Sequence, residues 1–257
     1  MENIDMNNRY SALASLVYNL DKPVGRSFGD VEYYRARLQE CGGPVLEPAV
    51  GNGRVYVPLR EAGIDVDGFD ASEEMLAYGR EACQARGIVA SLSQQTFETF
   101  HYDRRFAAAI IPAGSFQLIT DGNDALAFLR RLHDHLLPGG RLIIDIGGID
   151  GLFGSAAPAR SWKTAEGDLL TLLDHRAEPD YVSQTTSAYL RYERWSGGAL
   201  LESELDLFTL RWWGMQELRL ALEATGFSDV IVSSDYVFGQ APGKNTGTMT
   251  FEARRGG

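Results

Sequence analysis

Leu126, Leu129, Leu132 and Leu136 recur at spacings of three and four, which puts them on one stripe of a helix over Asn123–Leu136. Phe106 to Ile111 has no such spacing. It is a short run of Ala and Ile between a polar segment and Pro112, the pattern of a strand buried on both faces. Leu137-Pro138-Gly139-Gly140 ends the helix, and Arg141 to Ile146 repeats the buried-strand pattern. Upstream, Pro44-Val45-Leu46 is a short apolar run. A helix is expected from Val55 to Ala62, stopped by Gly63. Asp65 to Phe69 reads as the next strand and ends at Asp70. Ser72 reads as an N-cap with Glu73 and Glu74 in the first turn, where carboxylates favour the helix dipole. That helix runs to about Arg86-Gly87, and another strand begins near Ile88. Alternation of this kind predicts an α/β fold with a parallel, doubly wound sheet.

After Gly148 the pattern changes. Leu169–His175, Tyr181–Trp195 and Leu201–Trp212 have strand character, and Ser196-Gly197-Gly198 reads as a hairpin turn. Leu201, Leu205 and Leu207 alternate with Glu202, Glu204 and Asp206, so this sheet is expected to have one wet face. A helix from Met215 to Thr225, closed by Gly226, and two terminal strands return to the α/β pattern. The expected organisation is therefore an N-terminal helical cover at 1–41, a core at 42–154, an antiparallel β insertion or lid at 155–212, and the C-terminal part of the core at 213–257.

Composition narrows the function classes. The chain has 257 residues, 44% of them hydrophobic and 23% charged, which suits one large globular domain carrying an insertion. A formal charge of −11 repels phosphate backbones and anionic lipid surfaces, so neither a nucleic acid nor a membrane is an expected partner. Cys41 and Cys83 form no C-x-x-C pair. His133 and His135 are two apart on a helix and point to different faces, so no metal site is expected. No secretory leader pattern and no apolar stretch of membrane-spanning length appears, which makes the cytoplasm the expected location.

The strongest chemical signal is Glu47-x-x-x-Gly51-x-Gly53 after the first strand. Glycines there allow a tight turn and close approach of a ligand to the backbone. Asp70 ends the second strand, where a carboxylate can accept both hydroxyls of a ribose. A nicotinamide-dependent oxidoreductase could show the same constellation. Against it, Tyr56 stands where the third glycine of G-x-G-x-x-G would be.

Glu47 to Gly53, Asp70 to Leu76, Ile111 to Phe116 and Leu137 to Ile143, in that order, make the chain similar to the class I S-adenosylmethionine-dependent methyltransferases. That resemblance implies a Rossmann-like sheet and S-adenosylmethionine as cofactor. It places Glu47 near the amino-acid end of the cofactor, Gly51 and Gly53 beside it, Asp70 on the ribose diol and Met75 near the adenine. Ala49, Arg54, Ala71 and Phe97 complete the cofactor set around these. Thr96 stands where an acidic residue often receives the adenine amino group, and Pro48-Ala49 departs from the common form of the glycine turn. Pro112, Ala113 and Gly114 end the fourth strand near the departing methyl, with Ser115 and Phe116 on the acceptor side.

The resemblance extends to small-molecule methyltransferases, including sugar N-methyltransferases and glycine-type N-methyltransferases, which have an N-terminal cover and extra strands after the fifth core strand. By that pattern Tyr18, Arg26, Tyr33 and Tyr34 close over the cofactor, with Arg26 on its carboxylate; alternatively the tyrosines pack their helix on the sheet. Arg191, Arg194, Arg211, Trp195, Trp212 and Trp213 either form an aromatic, cationic acceptor pocket or are core aromatics with arginines paired to Glu202, Glu204 or Asp206. Tyr33, Arg211 and Trp213 join Ser115 and Phe116 as the acceptor candidates, and His175 is the candidate general base. The expected activity is methyl transfer to N or O of a small molecule. A non-catalytic S-adenosylmethionine or S-adenosylhomocysteine-binding module is the other class left open.

Overall fold

The computed structural model describes residues 8–148, 152–154 and 158–256. The Gly148 end of the core and the start of the expected insertion at 155–157 therefore fall partly outside the described residues.

Five strands follow the parallel pattern read from the sequence: β1 (Val45–Pro48), β2 (Val66–Asp70), β3 (Leu92–Gln94), β4 (Phe106–Ile111) and β5 (Leu136–Gly147). Two later strands, β10 (Phe227–Ser234) and β11 (Thr248–Arg255), complete a seven-stranded sheet in the order β10-β11-β5-β4-β1-β2-β3. Strands β1 to β5 pair in parallel, while β11 runs antiparallel to both β5 and β10. The order reverses at β1 and β4, and ligands of such sheets bind in the crevice beyond the strand ends at that point.

Helices cover both faces: α2 (Asp30–Gln39), α3 (Tyr56–Glu61), α4 (Glu73–Gln84), α5 (Gly122–His135) and α6 (Met215–Ala224), the last seen where the sequence placed Met215–Thr225. Ser72 caps α4 as expected, its hydroxyl accepting from Met75 N. The leucine stripe of α5 packs Leu129 and Leu132, fully buried, onto a core shared with Phe100, Phe106, Phe128 and Phe251. The third strand starts at Leu92 rather than Ile88, because Gly87 to Ser91 forms the loop that brings Ser91 O to Gly68 N at 2.9 Å.

A second sheet holds β6 (Arg160–Lys163), β7 (Leu169–Arg176), β8 (Thr185–Ser196) and β9 (Ala199–Arg211), antiparallel throughout. Gly197 and Gly198 turn the β8–β9 hairpin with φ of 55° and 84°, values that need left-handed residues at both central positions. Its wet face is the leucine face. Leu201 and Leu205 are exposed, whereas Asp206 is buried. The reason is an N-terminal helix, α1 (Ala12–Asp21), that lies on the other face and needs acceptors for its first turn. Glu204 Oε2 accepts from Leu13 N at 2.8 Å and from the Ser11 hydroxyl at 2.6 Å. Leu13, Ala14 and Val17 then pack on Leu170, Leu172 and Tyr192. Burying a Leu or Val side chain contributes about 1.5–3 kcal/mol, so this small cluster is enough to seat one short helix.

Candidate functional site

Asp70 organises the crevice. Its Oδ2 accepts from Gly51 N at 2.8 Å and its Oδ1 from Ser72 N at 2.9 Å. One carboxylate therefore ties the glycine turn to the start of α4, and each oxygen keeps a lone pair for a ligand hydroxyl. The turn is tight. Ala49, Gly51 and Gly53 all have left-handed φ, of 52°, 58° and 80°. A Cβ on Gly51 would also sit 3.1 Å from Met75 Cε, so a side chain there would be both strained and crowded.

Above this turn lies a cavity of about 370 Å³. Its walls include Ala49, Gly51, Asp70, Ala71, Met75, Thr96 and Phe97 from the expected cofactor set, together with Tyr18 and Ser115. Unforeseen residues join them. Asn8, Arg9 and Tyr10 enter from a strap before α1, and Ser72, Gln95 and Glu98 from the strand ends. Glu98 supplies an acidic group two residues after Thr96, on the loop where the resemblance placed the adenine and offered only a hydroxyl. The strap is pinned at both sides. Asn8 exchanges bonds with Thr209 of 2.9 and 3.0 Å, and the Ser72 hydroxyl donates to Tyr10 O at 3.1 Å. Asn8 and Tyr10 have left-handed φ, a local strain with no sequence signature in Asn-Arg-Tyr.

Glu47 is buried at the end of β1, and its Oε2 has no hydrogen-bond partner. Burial pushes its carboxyl well above the usual range; the Arg54 charge opposes this, while Asp30 and Asp70 add to it. A buried carboxyl with an open acceptor suits an ammonium partner. Together with the glycine cradle and the ribose-type carboxylate of Asp70, these residues fit S-adenosylmethionine.

Other expected residues lie elsewhere. Arg54 is committed to structure: its guanidinium donates to Asp30 Oδ2 and, at 2.8 Å, to Arg26 O. Arg26 itself is exposed, close to the Phe28 ring and outside the cavity wall. Tyr33 donates to Glu252 at 2.6 Å on the far side of α2, and Tyr34 is wholly buried beside it, so both pack α2 on the sheet. Gly53 and Pro112 are buried backbone positions beside the crevice. Ala113 and Gly114 turn the chain after β4 with φ of 56° and 77°, and Ala113 N donates to Asp145 Oδ2 at 3.1 Å. Asp145 also accepts from Thr250 and Tyr236, and burial lifts its carboxyl to about 6.

The acceptor candidates need correction. His175 shares a register row with Tyr189 and Leu207, on the exposed face of the second sheet, and so points away from the cavities. Trp213 is buried against Phe116 with ring centroids 5.2 Å apart, both inside the main core. Arg211 is held between the Trp213 ring and Glu217 Oε1 at 2.7 Å. Arg191 and Arg194 pair with Glu193 and Asp168, not with the acidic residues of β9. Of those, Glu204 and Asp206 serve the start of α1 instead, and Glu202 is exposed.

A second cavity, of about 150 Å³, lies between α1 and the inner face of the second sheet. It shares Asn8, Tyr10 and Tyr18 with the first. Its wall also includes apolar Val17, Leu172 and Leu190, with Asp206, Tyr192 and the charged Asp21, Lys22 and Arg160. Tyr10 sits between the two spaces, its hydroxyl raised by burial and then by Tyr18, Tyr192, Asp70 and Asp206. Burial likewise raises the Asp206 carboxyl, against the Ser11 hydroxyl that donates to it at 3.3 Å, and Glu204 raises it further. Among the described residues no cluster of His, Cys, Asp and Glu could hold a metal ion, and no helix is long and apolar enough to cross a membrane.

The comparisons agree with this geometry. Residues 45–140 match the family described as "Methyltransferase domain". A putative methyltransferase, YqeM, of Bacillus subtilis (strain 168) is 30% identical over 115 residues, 45% of this chain. The chain spans about half of that relative's length, 46%. The glycine/sarcosine N-methyltransferase of Aphanothece halophytica is 28% identical over 82% of this chain and 76% of its own length. Among solved structures, the sugar N-methyltransferase KedS8 from Streptoalloteichus sp ATCC 53650 superposes with a TM-score of 0.73 over 91% of this chain and 90% of its own, at 22% identity, and so shares the fold.

Proposed function

We propose that this chain is a class I S-adenosylmethionine-dependent methyltransferase and that it methylates the amine nitrogen of a small molecule. The observation that carries the reading is the pair of adjoining cavities with a common wall of Asn8, Tyr10 and Tyr18: one with a cofactor's chemistry, the other lined by apolar side chains and by Asp206, Asp21, Lys22 and Arg160. That the Aphanothece and Streptoalloteichus proteins are N-methyltransferases supports nitrogen over oxygen.

When bound, the cofactor supplies a methyl group already activated on a sulfonium sulfur. The chain's residues have three tasks. Asp70, Glu47 and the Gly51 turn hold the cofactor by its ribose and its amino-acid end. Tyr10 and Tyr18 wall the junction of the two cavities, which excludes water and keeps the acceptor nitrogen in line. Asp206 faces the acceptor space and takes the proton left on nitrogen once the new N–C bond has formed and the C–S electrons have gone to sulfur. No dedicated triad is needed, because a neutral amine is already a nucleophile.

Two measurements test this reading. Incubation with S-adenosylmethionine and a panel of small amines and alcohols should give S-adenosylhomocysteine with amines. Turnover confined to alcohols would refute the nitrogen assignment, and cofactor binding with no turnover of any acceptor would favour a non-catalytic binding module. The second concerns pH. Burial favours the neutral carboxyl of Glu47 in the free protein, so meeting an ammonium draws it towards the ionised form. Binding therefore releases a proton, so affinity for S-adenosylhomocysteine should strengthen as pH rises through the free-protein pKa of Glu47. Glu47→Gln should flatten that dependence; a pH profile unchanged by the substitution would take Glu47 out of this role.

A further inference from the structure

Pro112 to Ser115 form a four-residue turn directly after β4. Ser115 N donates to Pro112 O at 3.1 Å, and both central residues are left-handed, Ala113 with φ of 56° and Gly114 with φ of 77°. Turns with two such central residues favour Asn, Asp and Gly there. Gly114 meets that demand, and a Cβ on it would sit 2.9 Å from Gln117 Oε1. Ala113 does not, because at left-handed φ its Cβ crowds the following carbonyl oxygen. Ser115 and Leu118, from the single 3-10 turn that follows, line the first cavity. Part of that cavity wall therefore hangs on a strained alanine, which persists only if the surrounding fold holds it.

The support comes from Asp145, wholly buried near the end of β5. Its Oδ2 accepts from Ala113 N and from the Tyr236 hydroxyl, each at 3.1 Å, and its Oδ1 from the Thr250 hydroxyl at 2.8 Å. Burial lifts the carboxyl to about 6, against Thr250, Ala113, Tyr34 and Tyr236, which lower it, so the group is ionised under mildly alkaline conditions. A carboxylate buried among neutral donors costs stability that an apolar side chain in the same place would not. One of the bonds gained in return goes to the strained residue of the turn.

Resting on the reading of the first cavity as the cofactor site, we infer that Asp145 is a positioning residue for the cofactor: through Ala113 N it holds the left-handed turn that keeps Ser115 and Leu118 in the cavity wall. Asp145 is not itself part of that wall and acts through the turn alone. Without its acceptor, Ala113 relaxes towards ordinary φ. A left-handed alanine is disfavoured by about tenfold, and apparent affinity falls by the fraction of chains in which the binding wall is formed.

The test is calorimetric titration of the full chain with S-adenosylhomocysteine under mildly alkaline conditions. Asp145→Leu, similar in shape but without an acceptor, should weaken binding about tenfold. Adding Ala113→Gly to it should restore most of the loss, since glycine adopts left-handed φ freely. Asp145→Asn keeps an oxygen that can accept from Ala113 N and should stay close to the parent. Thr250→Val removes only the bond to the other oxygen, so it should lower stability in urea without weakening binding. If Asp145 served the fold alone, affinity would follow stability: Thr250→Val would weaken binding and Ala113→Gly would rescue nothing. Either result overturns the inference, as does undiminished affinity in Asp145→Leu. Should Asp145→Leu not fold, Asp145→Leu combined with Thr250→Val, which leaves one unpaired donor fewer, replaces it; failure of both to fold assigns Asp145 to stability and overturns the inference. Failure of the cofactor reading looks different, since the parent itself would then not bind S-adenosylhomocysteine, and this inference would fall with it.

Discussion

Asp70→Ala is expected to weaken binding of S-adenosylhomocysteine by about 100-fold or more, since each hydrogen bond to a charged group is worth about 1.5–3 kcal/mol and 1.4 kcal/mol is a factor of ten. Two losses combine. The ribose hydroxyls lose their acceptor, and Gly51 N and Ser72 N lose the carboxylate that holds the turn and the α4 N-terminus in register. The seven-stranded sheet does not depend on this side chain, which sits at the open end of β2, so far-ultraviolet circular dichroism should be close to that of the parent. Calorimetric titration decides the matter. Equal affinity in variant and parent would remove Asp70 from the cofactor site. Asp70→Asn should fall between the two, because one amide oxygen can still accept while its NH2 group faces a backbone donor.

Asp30→Ala should cost about 3–5 kcal/mol of folding stability, the range for breaking a buried ion pair by removing one partner. Both members are almost wholly buried, at 4% and 1% side-chain exposure. Asp30 also accepts from Phe28 N and Val31 N at the start of α2, at 3.0 and 2.9 Å. Burial alone would raise its carboxyl, but the hydrogen bond and charge of Arg54, with the two backbone donors, outweigh that and hold it below the usual range. Its folded pKa is thus depressed. The stability it contributes is present above the unfolded value, about 3.9, and is lost as pH falls through the folded one. Urea titrations should show the destabilisation at neutral pH and a smaller difference from the parent under strongly acidic conditions. Arg54→Met combined with Asp30→Ala should recover part of the loss, because no uncompensated charge is then left inside. A neutral-pH difference below about 1 kcal/mol, the scale of an exposed pair, would contradict the assignment of this ion pair to the core.

Arg54 also shows where reading a chain in one dimension stops. It directly follows Gly53, and proximity to the glycine turn placed it with the cofactor. Its partner is Asp30, on a helix whose position the local pattern does not give. Arg26 and His175 failed for related reasons. A residue's type says what it can bind, but its direction depends on which face of its element is covered. For His175 that was decided by α1, which lies on the opposite face of the second sheet and left the histidine in solvent. The same helix drew Glu204 and Asp206 inward and left Leu201 and Leu205 outside, a choice that alternation by itself leaves open.

What the sequence by itself determined is local. Strand and helix alternation, the leucine stripe of α5, the Ser72 cap, the Gly51 turn and the carboxylates at the ends of β1 and β2 all arise from interactions within a few residues or from a repeated period. Those rules reach the part of the first cavity built from consecutive strand ends and the turns that follow them, but not the strap of Asn8, Arg9 and Tyr10 that closes it. Only the tertiary structure decided the acceptor half. It is assembled from a strap before α1, one side of α1, and all four strands of a separate sheet, with contacts such as Asn8 to Thr209 that join opposite ends of the chain. No periodicity records such contacts. They follow from which buried donors and charges must find partners once the two sheets and α1 have packed.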